Sequence, residues 1–456
     1  MVSTSDTSLL RGLCLVLSLL PIIYVFHRTV VPISFSSLHS FPPTSSTTRH
    51  HLLFSLASSN STILQREPYI RLWYGAQAVR AFVFLDRMPE YANRQMLERL
   101  PPMVISKNSS RFPFTVKGGL RSAIRVARIV KEAVELNQSN VRWFVFGDDD
   151  TVFFVDNLVQ TLSKYDHRKW YYIGSNSESY EQNDKESFEM AFGGGGIAIS
   201  YPLAQALAEV LDSCLLRYGH LYGGDARLFS CLAELGVGLT HETGFHQVDL
   251  RGNLFGFLSS HPLSPILSLH HLEITESIFP NMSNVGALKY LLKAASFDPP
   301  RILQQTVCYS SRYSLTVSIA WGYSVQVFEG NKQLPELLSL QKSFRPWRRG
   351  RGKSNRFMFN AREYPSDICK RPLVFFLDAI NLLDDHISSN YTRVDDSVCE
   401  RGRKVRNLKH ARVLSKKVEL DPFEPPRRQC CDIQSLSHES MTVNIRKCGS
   451  HELIAM

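Results

Sequence analysis

Short apolar runs rich in aromatic and β-branched residues recur up to about residue 299. Between them lie stretches in which apolar residues return every three or four positions. His51–Ala57 (HLLFSLA), Ala81–Leu85 (AFVFL), Val104–Ile105, Trp143–Phe146 (WFVF) and Tyr171–Gly174 predict strands. Apolar residues at consecutive positions suit strands buried on both faces. Tyr69–Tyr74, Gly119–Leu136 (apolar at Ile124, Ala127, Val130 and Val134) and Asp156–Tyr165 predict helices. Two more follow, Tyr201–Leu216 with Pro202 in its first turn, and one opened by Asp225 that continues through Leu228, Leu232 and Leu235. Alternating strands and helices imply an α/β domain whose mostly parallel sheet is covered on both faces. Beyond Pro299 the period changes. Thr306–Tyr313 and Leu315–Phe328 alternate apolar and polar residues, and Arg371–Asp378 contains LVFFL, all expected as strands of a smaller β-rich region.

The first strand-to-turn boundary with chemical content is WFVFGDDDTVFF. Asp148, Asp149 and Asp150 stand between two hydrophobic segments. Like charges this close, near a core, raise one another's pKa. A hard divalent cation removes that cost by binding carboxylate oxygens. In an extended backbone Asp148 and Asp150 point one way and Asp149 the other. Ligands in open α/β sheets collect at the carboxyl ends of strands. The alternative is a solvated acidic turn. The run Gly193, Gly194, Gly195, Gly196 in FGGGGIAIS permits close backbone approach or positive φ, or is a plain flexible turn. Asp225 suits a helix N-terminal cap as well as a catalytic role. His246, His261, His270 and His271 fall in a loop-like stretch. His270-His271 offers a third metal ligand, against the alternative of hydrogen-bonded structural histidines.

The formal net charge of +10 is local. Ser343–Arg356 carries six basic residues and Arg401–Lys417 eight, neither with an acid; without those fourteen, 38 basic residues face 42 acidic ones, a net of −4. A mildly acidic body argues against a nucleic-acid-binding protein, and the basic segments are expected as solvated loops of the C-terminal region. Leu13–Phe26 is uncharged, short for a spanning helix and interrupted by Pro21. It reads as a retained signal-anchor, with a cleaved signal or a buried helix as alternatives. Ser34–Arg49, rich in Ser, Thr, Pro and His, reads as a flexible stem. Acceptor triplets for N-glycosylation at Asn60, Asn108, Asn137, Asn281 and Asn390 favour a lumenal body. So does the cysteine count. Apart from Cys14, eight cysteines remain, enough for four disulfides, with Cys214 and Cys231 near enough to pair locally. The expected organisation is tail and anchor 1–28, stem 29–50, an α/β domain 51–299 and a cysteine-containing β-rich region 300–456.

At WFVFGDDDTVFF, FGGGGIAIS and SLHHLE the chain resembles Fringe-like glycosyltransferases. RYGHLYGGDARLFSCLAELGV, GFHQVDLRGNLFGFLSSHP and SLHHLEITESIFPNM bring it closer to the plant Fringe-related family within glycosyltransferase family 31. The resemblance is strong over His51–Tyr290 and looser beyond. It implies a Golgi type II membrane protein with a lumenal GT-A fold. The implied reaction is inverting transfer of a hexose or N-acetylhexosamine, β-1,3-type, from a UDP-sugar to a glycan or glycoprotein, with Mn²⁺. It assigns Asp148 and Asp150 to the metal and donor diphosphate, with Asp149 beside them. His271 completes the metal site, Gly193–Gly196 lie against the sugars, and Asp225 is the base. One position departs. Relatives carry two adjacent acids at that last motif, and here the second is Ala226. If the base is the first acid, Asp225 serves. If it is the second, the chain is a weakened or non-catalytic lumenal binding protein.

Overall fold

The apolar runs pair into one seven-stranded sheet. Its strands are β1 (Leu52–Ala57), β2 (Arg80–Leu85), β3 (Met103–Ile105), β4 (Trp143–Asp148), β5 (Tyr172–Gly174), β6 (Ile197–Ser200) and β7 (Leu239–His241), ordered β3-β2-β1-β4-β6-β5-β7. All neighbours are parallel except β6, which runs antiparallel to both β4 and β5. This computed structural model describes residues 46–456 apart from 78, 91–93, 348–355, 395–398, 400, 403–404, 419–425 and 456. The apolar N-terminal segment, Cys14 and most of the expected stem lie outside the described residues. Among the described residues no helix is long and apolar enough to cross a membrane.

Helices cover both faces: α1 (Ile63–Gln77), α2 (Ser122–Glu135), α3 (Val155–Leu162), α4 (Tyr201–Leu215), α5 (Gly224–Glu234) and α6 (Asn284–Ala295). Side chains alternate across β4. Trp143 and Val145 pack with α1, α3 and α6, and Phe144 and Phe146 with α2, α4 and α5. The sheet is thus buried on both sides, as its continuous apolar strands require.

The C-terminal strands form a second sheet. They are β8 (Gln305–Ser310), β9 (Leu315–Ala320), β10 (Ser324–Glu329), β11 (Leu373–Leu383), β12 (His386–Arg393), β13 (His410–Ser415), β14 (Cys430–Leu436) and β15 (Ser440–Arg446), ordered β8-β9-β10-β11-β12-β13-β15-β14. The stretch expected as one strand over Leu315–Phe328 is a hairpin, turned at Trp321–Gly322 with Gly322 at φ +75°. Four disulfides staple the protein: Cys214–Cys231, Cys308–Cys431, Cys369–Cys399 and Cys430–Cys448. Adjacent Cys430 and Cys431 reach different partners because successive strand residues face opposite ways.

Thr47–Met456 form one compact unit. Its largest hydrophobic cluster runs from Leu52 and Trp143 to Phe375, Val413 and Val443. Phe279 meets Tyr323 at 5.3 Å and Phe255 meets Phe376 at 5.8 Å, so aromatic rings cross the expected boundary at residue 299. Residues 348–355 and 403–404 of the basic segments lie outside the described residues, and the described parts are not all solvated loops. Phe344–Pro346 pairs as a strand with Leu250–Gly252, and Arg412 lies within β13. Of the five acceptor asparagines, Asn108, Asn137 and Asn281 are exposed, and Asn60 and Asn390 half-buried.

Candidate active site

Strand β4 ends at Asp148, and the backbone turns at Asp149 and Asp150 instead of continuing extended. Thr151 N–H donates to Asp148 O at 3.1 Å, and Asp148 N–H donates to Thr151 Oγ1 at 2.8 Å. The turn still separates the acids. Asp149 is buried and accepts from Ser58 Oγ (2.6 Å) and Thr62 Oγ1 (2.8 Å) at the start of α1. Asp148 and Asp150 face the other way, toward a histidine.

That histidine is His270. Its Nε2 stands 3.1 Å from Asp150 Oδ1 and 3.5 Å from Asp148 Oδ2. Register explains the placement. Ser268–Leu269 pairs antiparallel with Val152–Phe153, Leu269 opposite Val152, which puts the next residue beside Asp150. His271, the ligand implied by the resemblance, turns away at φ +55°. Its ring lies tilted against His270 at 3.8 Å and stacks on Trp347 at 4.5 Å, with Nδ1 3.4 Å from buried Asp249. The structure brings His270, not His271, to the two acids.

The antiparallel course of β6 explains the glycine run. Phe146 pairs with Ile197, so Gly193–Gly196 arrive beside the end of β4. Thr151 Oγ1 donates to Gly194 O at 2.8 Å, tying the two turns together. A Cβ at Gly194 would lie 2.2 Å from His270 Cε1, and one at Gly193 2.6 Å from Asp225 Oδ1. At Gly194 a side chain would displace the His270 ring, and at Gly193 it would force the Asp225 carboxylate to turn. Gly195 N–H donates to Gln247 Oε1 at 2.7 Å, and Gly196 has φ +103° as it enters β6.

Asp225 lies in the first turn of α5, across Gly193 from the acids. Ala226 points elsewhere. It is buried against Met190 and Phe192. Arg66 on α1, which no sequence pattern singled out, reaches Asp150 Oδ2 at 3.0 Å and ion-pairs with Glu273. Gln247, likewise unmarked, accepts from His270 Nδ1 through its carbonyl at 3.2 Å. With Nδ1–H committed to that carbonyl, Nε2 is the ring nitrogen that faces the acids.

Crowding by protein atoms raises the Asp148 carboxyl to about 7, although its tip meets solvent; His270 opposes the shift, and Asp150 and Asp225 add to it. Burial also works to raise Asp150, but the charge and hydrogen bond of His270, with Arg66, hold it well below the carboxylate range. For His270, burial lowers the pKa, yet Asp150 and Asp148 together raise it to about 9. Burial raises Asp225 to about 6, against a Gly193 N–H bond and the His270 charge. Asp148, Asp150 and His270 each offer one ligand atom, all within 4.8 Å of one another. Two carboxylate oxygens and one imidazole nitrogen with a fixed tautomer fit a divalent ion such as Mn²⁺.

Residues 182–431, more than half of the chain, match the family described as "Protein of unknown function, DUF604". The chain belongs to this family. The match takes in the glycine run, Asp225, His270 and Trp347, and begins after Asp148 and Asp150. The chain is also 29% identical over 120 residues to mouse and human beta-1,3-glucosyltransferase, a match spanning 26% of this chain and 23% of each relative. Among solved structures, this DUF604 protein is similar to the galactosyltransferase LgtC in complex with donor and acceptor sugar analogs. That likeness has 10% identity and TM-score 0.34, covering 52% of this chain and 92% of that one. It is also similar to mouse xyloside xylosyltransferase 1, with 9% identity and TM-score 0.30, covering 47% and 91%.

Proposed function

We propose that the chain is an inverting, divalent-metal-dependent glycosyltransferase of the GT-A type, moving a hexosyl group from a UDP-sugar to a glycan or glycoprotein hydroxyl. One observation carries the reading: Asp148, Asp150 and His270 converge at the carboxyl end of a central strand, with a half-buried acid, Asp225, against the neighbouring glycine run. The stretch shared with beta-1,3-glucosyltransferases supports a β-1,3 linkage.

Asp148, Asp150 and His270 would hold Mn²⁺, which when bound supplies positive charge against the phosphates of a leaving nucleoside diphosphate. Arg66 fixes Asp150, and Gln247 O fixes the tautomer of His270. Asp225 takes the proton from the attacking acceptor hydroxyl as general base. Gly193 and Gly194 let the backbone close in, so that donor and acceptor meet without intervening side chains. The disulfides and acceptor triplets support an oxidising lumen. With them we assign the apolar N-terminal segment to a type II Golgi anchor.

A non-catalytic binding role remains the second reading, motivated by Ala226. Because that side chain faces Met190 and Phe192, an acid there would not reach the site, which favours Asp225 as the base. The deciding experiment is turnover of a panel of UDP-sugars by the full chain with Mn²⁺. Transfer is expected, falling about a hundredfold or more in Asp148→Asn and Asp150→Asn. UDP binding without transfer supports the non-catalytic reading, and turnover unchanged in both variants rejects the metal role.

A further inference from the structure

Beside the site lies a cavity of about 550 Å³ lined by Arg251, Gly252, Ile274, Thr275, Glu276, Arg345 and Trp347. It is within the size range of small-ligand sites. Its two arginines come from opposite ends of the expected domain division. Leu250–Gly252 and Phe344–Pro346 pair antiparallel with Arg251 directly opposite Arg345. Like charges facing each other across a strand pair are destabilising. Among the described residues no carboxylate lies within ion-pair distance of either guanidinium, and Glu276 is the one acid of the lining.

Both guanidinium groups are nonetheless held. Arg251 Nε donates to Trp347 O at 2.9 Å, and its Cζ sits 4.5 Å from the Trp347 ring centre. Arg345 lies against Gly252, where at φ +79° an added Cβ would be 3.2 Å from Arg345 Nε. Trp347 also stacks on His271, whose ring lies against His270 at 3.8 Å. The cavity therefore begins one aromatic ring beyond the metal-side histidine.

We propose that Arg251 and Arg345 form an oxyanion subsite of the transfer site, taking either a carboxylate of an acidic acceptor sugar or a phosphate of the donor. Paired guanidinium forks are matched to such groups, and a bound anion relieves the cross-strand repulsion. The subsite rests on the glycosyltransferase reading for its substrate but not for its existence.

The test is calorimetric titration of the full chain in EDTA with glucuronate and, separately, inorganic pyrophosphate. Saturable binding is expected, weakened about tenfold or more in Arg345→Gln and in Arg251→Gln, as loss of a charged hydrogen-bonding group requires. Arg345 is exposed, so Arg345→Gln carries the test even if Arg251→Gln fails to fold. Preference for glucuronate assigns the subsite to an acidic acceptor, and preference for pyrophosphate assigns it to the donor. Absence of binding, or binding undiminished in a folded Arg345→Gln, overturns it. Since EDTA removes any metal, failure of UDP-sugar turnover leaves this measurement standing, and its failure leaves turnover standing.

Discussion

Asp225 and His270 show how neighbours decide what a side chain can do. Burial raises Asp225 to about 6, and a general base works only when ionised. The kcat/KM of transfer should therefore fall about tenfold per pH unit below about pH 6 and level off above it. Asp225→Asn should lower kcat by about 10²- to 10⁴-fold and remove that acid limb. A pH–rate profile of both proteins checks this. His270 and His271 separate in a second measurement. His270→Ala should weaken Mn²⁺ binding about a hundredfold, whereas His271→Ala, which removes a stacking ring and no ligand atom, should weaken it far less. Titration with Mn²⁺ decides, and equal losses would reject the assignment. From sequence both histidines were visible, as were the three acids and the four glycines. Which histidine faces the acids was not. That choice rests on Leu269 pairing with Val152, a register set by contacts more than 100 residues apart.

At the scale of elements, two features place the chemistry: the reversed strand β6 and the first turn of α5. The antiparallel course of β6 was not legible, because a buried strand reads the same in either direction. The helix at Asp225 was legible, but the side to which Ala226 points was not. An acid at 226 is expected to meet Met190 and Phe192 rather than substrate. Ala226→Asp should lower stability by about 2 kcal/mol or more and bring no gain in turnover. Thermal melting and a transfer assay of the variant check both halves, and a rise in turnover would restore the second acid as the base. Arg66 and Gln247 carried no signal at all. A lone arginine on a helix and a glutamine in a loop acquire roles only from what faces them.

For the whole molecule, the change of period near residue 299 marks a change of sheet and not a break in the core. Phe255 and Phe279 on one side pack on Tyr323 and Phe376 on the other, and Arg251 meets Trp347 across the same line. Ending the chain at residue 299 would expose those rings and remove one wall of the arginine cavity. The fragment 47–299 is expected to aggregate or to lack a cooperative melt, and a soluble fragment with the full chain's Mn²⁺ affinity would contradict this.

Local order along the chain was enough to show alternating strands and helices, an acidic strand end, a glycine turn and two cysteines, Cys214 and Cys231, near enough to pair, because each depends on residues near in sequence and on periods of two or 3.6. Tertiary structure alone decided that His270 and not His271 meets the acids, that Ala226 faces apolar side chains, and that Arg345 from a basic stretch stands opposite Arg251. Those outcomes depend on strand register and direction, which are set by what packs across the molecule and leave no trace in local pattern.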